Sequence, residues 1–258
     1  MSFFAVLFAL LIEQLKPLPR DNRIHDQLVA WVGWTGRNFD AGKPHHVWVV
    51  WGVSVLMPAV LVAGIHIAIR QYSLLLALAF DVALLYLTLG FRQFSHFFTD
   101  IRDALDRGDE DLARRKLGEW QHLDASELPR TEVLRHVLEH ALLSAHRHVF
   151  GVFFWFVVLS ALGLGPMGAV LYRMAEFSAR YWSFRPRGLD MPVNEALKDR
   201  SRTLFLWIDH VPARMTGFGF AVVGNFEEAI GSWRRDATLW LHPNEGIILA
   251  AAAGAVGV

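Results

Sequence analysis

The chain of 258 residues contains no cysteine, which excludes disulfide scaffolds, thiolate catalysis, zinc fingers and iron–sulfur clusters. It also lacks net charge. Its 25 Lys and Arg balance 25 Asp and Glu, so a large surface of one sign, and with it nucleic-acid binding, has no support. Charged residues are scarce, at 19%, where a soluble domain has roughly 25%. No phosphate-cradling glycine loop occurs, because GLGPMG lies in an apolar segment without the lysine such a loop needs. No low-complexity tract and no repeat of defensible period is present. Hydrophobic residues fill the space, at 53% with a mean hydropathy of +0.30. The ten tryptophans agree, since indole rings favour the two membrane–water interfaces. Composition therefore predicts an all-α, polytopic membrane protein whose residues 1–258 form a single integral membrane domain.

Residues 47–69 carry no formal charge over 23 positions, enough to cross a hydrocarbon layer of about 30 Å. Residues 73–91 form a second candidate span, separated from the first only by Arg70, Gln71 and Tyr72, so the two must make a tight antiparallel hairpin. The opening MSFFAVLFALLI is too short to span and lacks the features of a signal peptide, and reads as an interfacial or partly inserted anchor. From Arg92 to His148 the chain turns polar, with helical spacing over Asp100–Arg107, Asp109–His122 and Thr131 to about His148. Asp109 reads as an N-cap, with Leu112, Leu117 and Trp120 as the apolar stripe. Nine Lys and Arg in 92–148 place this insert in the cytoplasm by the positive-inside rule, and the hairpin then puts the first 46 residues on the same side.

Residues 149–175 are apolar but hold Gly163, Gly165, Pro166 and Gly168 at their centre. A single crossing would leave the six Lys and Arg of 176–202 outside. Two half-helices meeting at the Gly-Pro break and returning to the cytoplasmic side remove that conflict, so a broken, re-entrant segment is preferred. The chain ends in a 13-residue apolar run, GIILAAAAGAVGV, too short to span, and the natural polypeptide is expected to continue past Val258.

Polar residues inside these segments need partners. Asp81 sits within the second apolar run, where a carboxylate costs roughly 2.5–3.5 kcal/mol. It reads either as part of a ligand site facing Asp209 or Arg214, or as a structural pair with Arg214, or as a neutral acid. Asp209, Arg214 and Asn244 form the best candidate binding set, because a guanidinium fork matches carboxylate or phosphate. Pro212 frees a carbonyl early in its helix for local bonding. The competing reading is an Asp209–Arg214 ion pair that fixes a kink there. His136, Glu139 and His140 match the inverted zinc-protease string H-x-x-E-H, but no third ligand is in view and a solvated helix face is the plainer reading, so no metal site is assigned. His140, His146 and His148 remain as a possible contact surface for substrate or regulator. His45 and His46, ahead of Trp48 and Trp51, read as interface anchoring.

Two families share these patterns. Asp209, Val211, Pro212 and Arg214, followed by Gly224, Glu227, Ala229 and Trp233, resemble the D-x-V-P-x-R and G-x-x-E-x-A segments of AmpE, inner-membrane proteins linked to β-lactamase regulation. Met1–Glu13 and Phe150–Tyr172 are similar to AmpE as well. The ending HPNEGIILAAAAGAVGV resembles the S-P-N-x-G-x-x-x-A-x-x-A-G-A-x-G-V ending of the CobD/CbiB family. That resemblance implies a bacterial inner-membrane synthase that joins adenosylcobyric acid to an aminopropanol phosphate, using ATP and Mg2+. Its partners would be the lipid bilayer, a corrinoid and a phosphorylated amino-alcohol. Where that family carries A-E-N-x-x-D, this chain reads LLSAHRHVFG, and Leu249 stands at an expected acid. The acids available in their place are Glu139, Glu227 and Glu245, as candidates to hold magnesium or take the proton of an attacking amine. Arg214, Asp209, Asn244 and Asp81 are the expected substrate-binding residues. The alternative is an AmpE-like regulator without enzymatic activity.

Overall fold

In the computed structural model, which describes residues 2–16, 23–40, 45–89, 91–121, 123–183 and 195–257, every regular element is helical and no strand occurs among the described residues. The helices are α1 (Ser2–Leu15), α2 (Arg23–Phe39), α3 (His46–Tyr72), α4 (Leu74–Thr88), α5 (Phe91–Asp106), α6 (Glu110–Gln121), α7 (Arg130–Ala161), α8 (Met167–Ser183), α9 (Glu195–Ile208), α10 (His210–Val223), α11 (Phe226–Asp236) and α12 (Pro243–Val256). They cluster into two compact units, residues 1–89 with 150–213 and residues 90–149 with 214–258.

In the first unit α3 and α4 form the expected hairpin, and Ser73 alone separates them. Its extended backbone ends α3, and its hydroxyl accepts from the Leu76 N–H at 3.4 Å to cap α4. α3 spans 27 residues and is one of two helices long and apolar enough to cross a membrane, the other being α7 with 32. α4 stops at Thr88 after 15 residues. At 1.5 Å per residue that is about 22 Å, short of the roughly 30 Å of a hydrocarbon core.

The first helix packs along α4. Ala5, Ala9 and Glu13 are buried at a four-residue spacing, and the two alanines let α1 lie close along α4. Ser2 borders the same cavity as Arg70 and Leu74, while Tyr86 donates to the Lys16 carbonyl at 2.6 Å. α1 therefore runs parallel to α4, and its start lies at the end where α3 turns into α4.

The Gly-Pro break turns the chain back. Gly163, at φ +82°, closes α7 with the paired bonds Gly163 N–H to the Ser160 carbonyl and Leu164 N–H to the Leu159 carbonyl, both 3.0 Å. α8 then packs antiparallel on α7. A Cβ on Gly151 would meet the Tyr172 ring at 2.2 Å, and one on Gly168 would meet the Trp155 carbonyl oxygen at 1.9 Å. Only glycine permits that approach. The polar helix read from Thr131 to about His148 continues into the apolar segment from 149 as one helix, since α7 runs from Arg130 to Ala161 with a π-helical turn at His146–Phe150.

In the second unit Asp109 caps α6, accepting from the Leu112 N–H at 3.0 Å, and Leu117 is fully buried among Ile101, Ala104, Leu105, Val133 and Val137. Burying such a leucine contributes about 1.5–3 kcal/mol. Past α6, the Ser126 hydroxyl and N–H both donate to Asp124, which holds this exposed carboxyl below the usual carboxylate range. α11 and α12 form an antiparallel pair, joined at one end by the Asn225 N–H and the Ala255 carbonyl at 3.0 Å. Gly246 and Gly254 sit where a Cβ would strike the backbone of Ala237 and Glu228, so small residues set this contact.

Candidate functional site

Three polar contacts converge in the second unit. In the π-helical turn of α7, His146 Nδ1 lies 2.9 Å from the Thr216 hydroxyl of α10. The neighbouring Arg147 donates to the Glu245 carboxylate of α12. Arg214 of α10 reaches the Asn244 side-chain oxygen of α12 at 3.5 Å, at the long limit for a hydrogen bond. Each pair among α7, α10 and α12 is thus joined by a side-chain contact. His146 and Asn244 are buried, and Arg147 and Glu245 are about 70% covered.

Local sequence explains the placement. Pro243 opens α12, fitting its missing N–H to a position where no helical bond is made, so Asn244 and Glu245 fall in the first turn and Glu245 meets the positive helix end. A π-helical turn inserts an extra residue and recurs at functional sites, and here it carries His146 and Arg147. Two guanidinium groups beside a buried amide make a setting suited to a phosphate or carboxylate.

The structure brings Arg214, Asn244 and Glu245 together, as the sequence analysis paired the first two. Arg147 and Thr216 were missed. His146 had been noted only as part of a histidine surface. Glu139 lies eight residues before Arg147 on the same helix, about 12 Å along the axis, and is bound to Arg135 at 3.0 Å. Glu227 is exposed in the first turn of α11. That turn packs on the far end of α12, about 14 Å from Glu245 at 1.5 Å per residue. The three candidate acids therefore do not form one cluster. His140 stacks edge-on against Trp120, and no group of three or more His, Asp or Glu residues able to hold a metal occurs among the described residues.

In the first unit Asp81 has a different partner from those expected. His66 Nδ1 contacts it at 2.7 Å, both residues being buried. The pairing follows from the α3–α4 hairpin, and the sequence carried its signal in a histidine within an otherwise apolar span. Asp209 accepts from the Tyr172 hydroxyl at 2.7 Å. The carbonyl freed by Pro212 is that of Ile208, and the Trp155 indole N–H donates to it at 3.0 Å. Pro58 likewise cannot donate to the Ser54 carbonyl, which takes the Trp31 indole N–H at 3.3 Å. Two tryptophans thus complete helices that prolines interrupt.

Among the described residues the fold is all helical, with two apolar helices long enough to cross a membrane and a polar junction of Arg147, Arg214, Asn244 and Glu245. Residues 3–258 match the family described as CobD/Cbib protein, so the chain belongs to that family. It is 35% identical over 185 residues to the "Cobalamin biosynthesis protein CobD" of Chromobacterium violaceum, covering 71% of this chain and 56% of that protein. It is 31% identical over 266 residues to the protein of the same name from Stutzerimonas stutzeri, covering 99% and 81% respectively. The chain thus spans little more than half the length of the first relative. No solved structure matches. The matched family and both relatives carry the CobD name, which does not favour the AmpE-like alternative.

Proposed function

We propose that this protein performs the amide-forming step of its family, joining the carboxyl of adenosylcobyric acid to the amine of an aminopropanol phosphate. The observation that carries the proposal is the junction of Arg147, Arg214, Asn244 and Glu245 in one unit. In this reading the two arginines hold anionic groups of the substrates, such as the aminopropanol phosphate. Asn244 orients them, and Glu245 is the carboxylate placed to accept a proton from the attacking amine. His146, fixed by Thr216, positions the turn that carries Arg147.

ATP and Mg2+ belong to the proposal through the family resemblance, ATP supplying the activation that makes the carboxyl reactive. The carboxylates present suit a magnesium held mainly by nucleotide phosphates, since no group of three or more His, Asp or Glu side chains gathers among the described residues. A multi-pass position in the bacterial inner membrane, with residues 92–148 in the cytoplasm, completes the reading and would give the junction access to soluble substrates.

Complementation tests it. The full-length protein, expressed in a strain deleted for its own family member, restores cobalamin formation from an added corrinoid precursor, and Arg147→Ala does not. Failure of the unmutated protein to rescue despite good membrane expression overturns the proposal.

A further inference from the structure

The first unit contains a cavity of about 250 Å³ that the proposed reaction does not use, bordered by Ser2, His66, Arg70, Asp81, Ser160 and Gly165. Its polar groups are held in place by the fold. His66 is 5% exposed and its Nδ1 is committed to Asp81 at 2.7 Å. Gly165, at φ +59°, brings the α7–α8 turn so close that a Cβ there would lie 2.3 Å from the imidazole Cγ and Nδ1. That edge of the ring is sealed. The other nitrogen, Nε2, has no hydrogen-bond partner among the described residues and is not enclosed by protein.

Arg70 is the second element. Asp81, the nearest carboxylate lining the cavity, is taken by His66, and Arg70 makes no ion pair among the described residues. Its Nη1 lies 3.6 Å from the position a Cβ on Gly163 would occupy, so the guanidinium rests against the same turn. α8 begins just after that turn, at Met167. A structural His–Asp pair is complete in itself and needs no open nitrogen. An arginine that merely reaches the membrane surface needs no cavity shared with a buried histidine.

We propose that this cavity binds a small oxyanion, of the phosphate or carboxylate class, between Arg70 and Nε2 of His66. The guanidinium offers a two-pronged donor, and Nε2 exchanges a hydrogen bond with one oxygen of the ligand. The cavity has room for one phosphate group with some hydration. A free anion and a lipid headgroup phosphate present the same chemistry.

Nitrogen NMR of the histidine-labelled full-length protein in neutral detergent reads the site directly, the His66 signal being assigned by its loss in His66→Gln. Titration with inorganic phosphate at fixed ionic strength shifts that signal saturably, with a midpoint independent of any shift at His146 beside the proposed reaction site. Arg70→Gln weakens the response at least tenfold, and Arg70→Lys weakens it less. A His66 signal that still moves on Asp81→Asn in the Arg70→Gln protein shows that this variant keeps the buried pair. If phosphate has no effect but nanodiscs containing phosphatidylglycerol shift the signal relative to phosphatidylcholine, the oxyanion is a lipid headgroup. Silence in both, or an unchanged response in a correctly paired Arg70→Gln protein, overturns the proposal.

Discussion

Arg147, in the π-helical turn of α7, is paired with Glu245 in the first turn of α12. The stretch that departs from the family's acid-and-amide motif is thereby tied to the chain's most family-like segment, with an arginine meeting an acid. Because the pair is about 70% covered, Arg147→Ala and Glu245→Gln should each destabilise the protein by about 1–2 kcal/mol, between the exposed and fully buried limits. The charge-swapped double variant Arg147→Glu with Glu245→Arg should recover most of that stability and none of the function. Thermal unfolding in detergent beside complementation separates the two. Functional rescue by the swap would mean that the pair is only structural.

The contact between Trp155 and the Ile208 carbonyl yields a double-mutant cycle. Trp155→Phe leaves the part-buried Ile208 carbonyl without its indole donor and should cost about 1 kcal/mol beyond the loss of ring size. Pro212→Ala restores an N–H four residues on from Ile208. The penalty of Trp155→Phe should therefore shrink in the Pro212→Ala background, as measured by chemical unfolding. Equal penalties in both backgrounds would show that the indole bond carries no weight.

Helix positions were legible in the sequence wherever periodicity or charge was strong. Residues 47–69, the Asp109 cap and the Leu112, Leu117 and Trp120 stripe all appear as read, and the Gly163–Gly168 break turns the chain. The first helix is shorter than a span, as read, but its packing was not legible: Ala5, Ala9 and Glu13 at a four-residue spacing form the face laid along α4. Partners of polar residues were harder. Asp81 was matched with charges distant in sequence, whereas the short hairpin delivers His66, an uncharged residue in the composition count. Arg214 and Asn244 could be paired from the family pattern, but Arg147 could not, because a π-helical turn shifts the register on which helical spacing depends.

Close approach of α7 and α8 rests on Gly168. Gly168→Ala forces a Cβ against the Trp155 carbonyl and should destabilise by about 1–3 kcal/mol or more, as overpacking does. Gly52→Ala, where a Cβ meets nothing within 4 Å, should be neutral or stabilising by up to about 1 kcal/mol. Unfolding temperatures of the two variants in the same detergent check this. Equal effects would contradict the packing described.

Topology follows from the hairpins. Cysteines introduced into this cysteine-free chain at Tyr72 and Leu162, both well exposed at the turn ends of their hairpins, should react in intact cells with an impermeant thiol reagent. One at Gly108 should react only after lysis. Labelling of Gly108→Cys in intact cells would reverse the proposed orientation.

The most direct test of the central claim is amide formation by the purified full-length protein. Adenosylcobyric acid, aminopropanol phosphate, ATP and Mg2+ are supplied, and product is followed by mass spectrometry. Wild-type protein should form the amide, and Arg214→Ala should lower the rate about 100-fold or more with an unfolding temperature within a few degrees of wild type, as removal of a charged substrate contact does. No product from well-folded wild-type protein, or full activity in Arg214→Ala, would contradict the assignment of the α7, α10 and α12 junction as the reaction site.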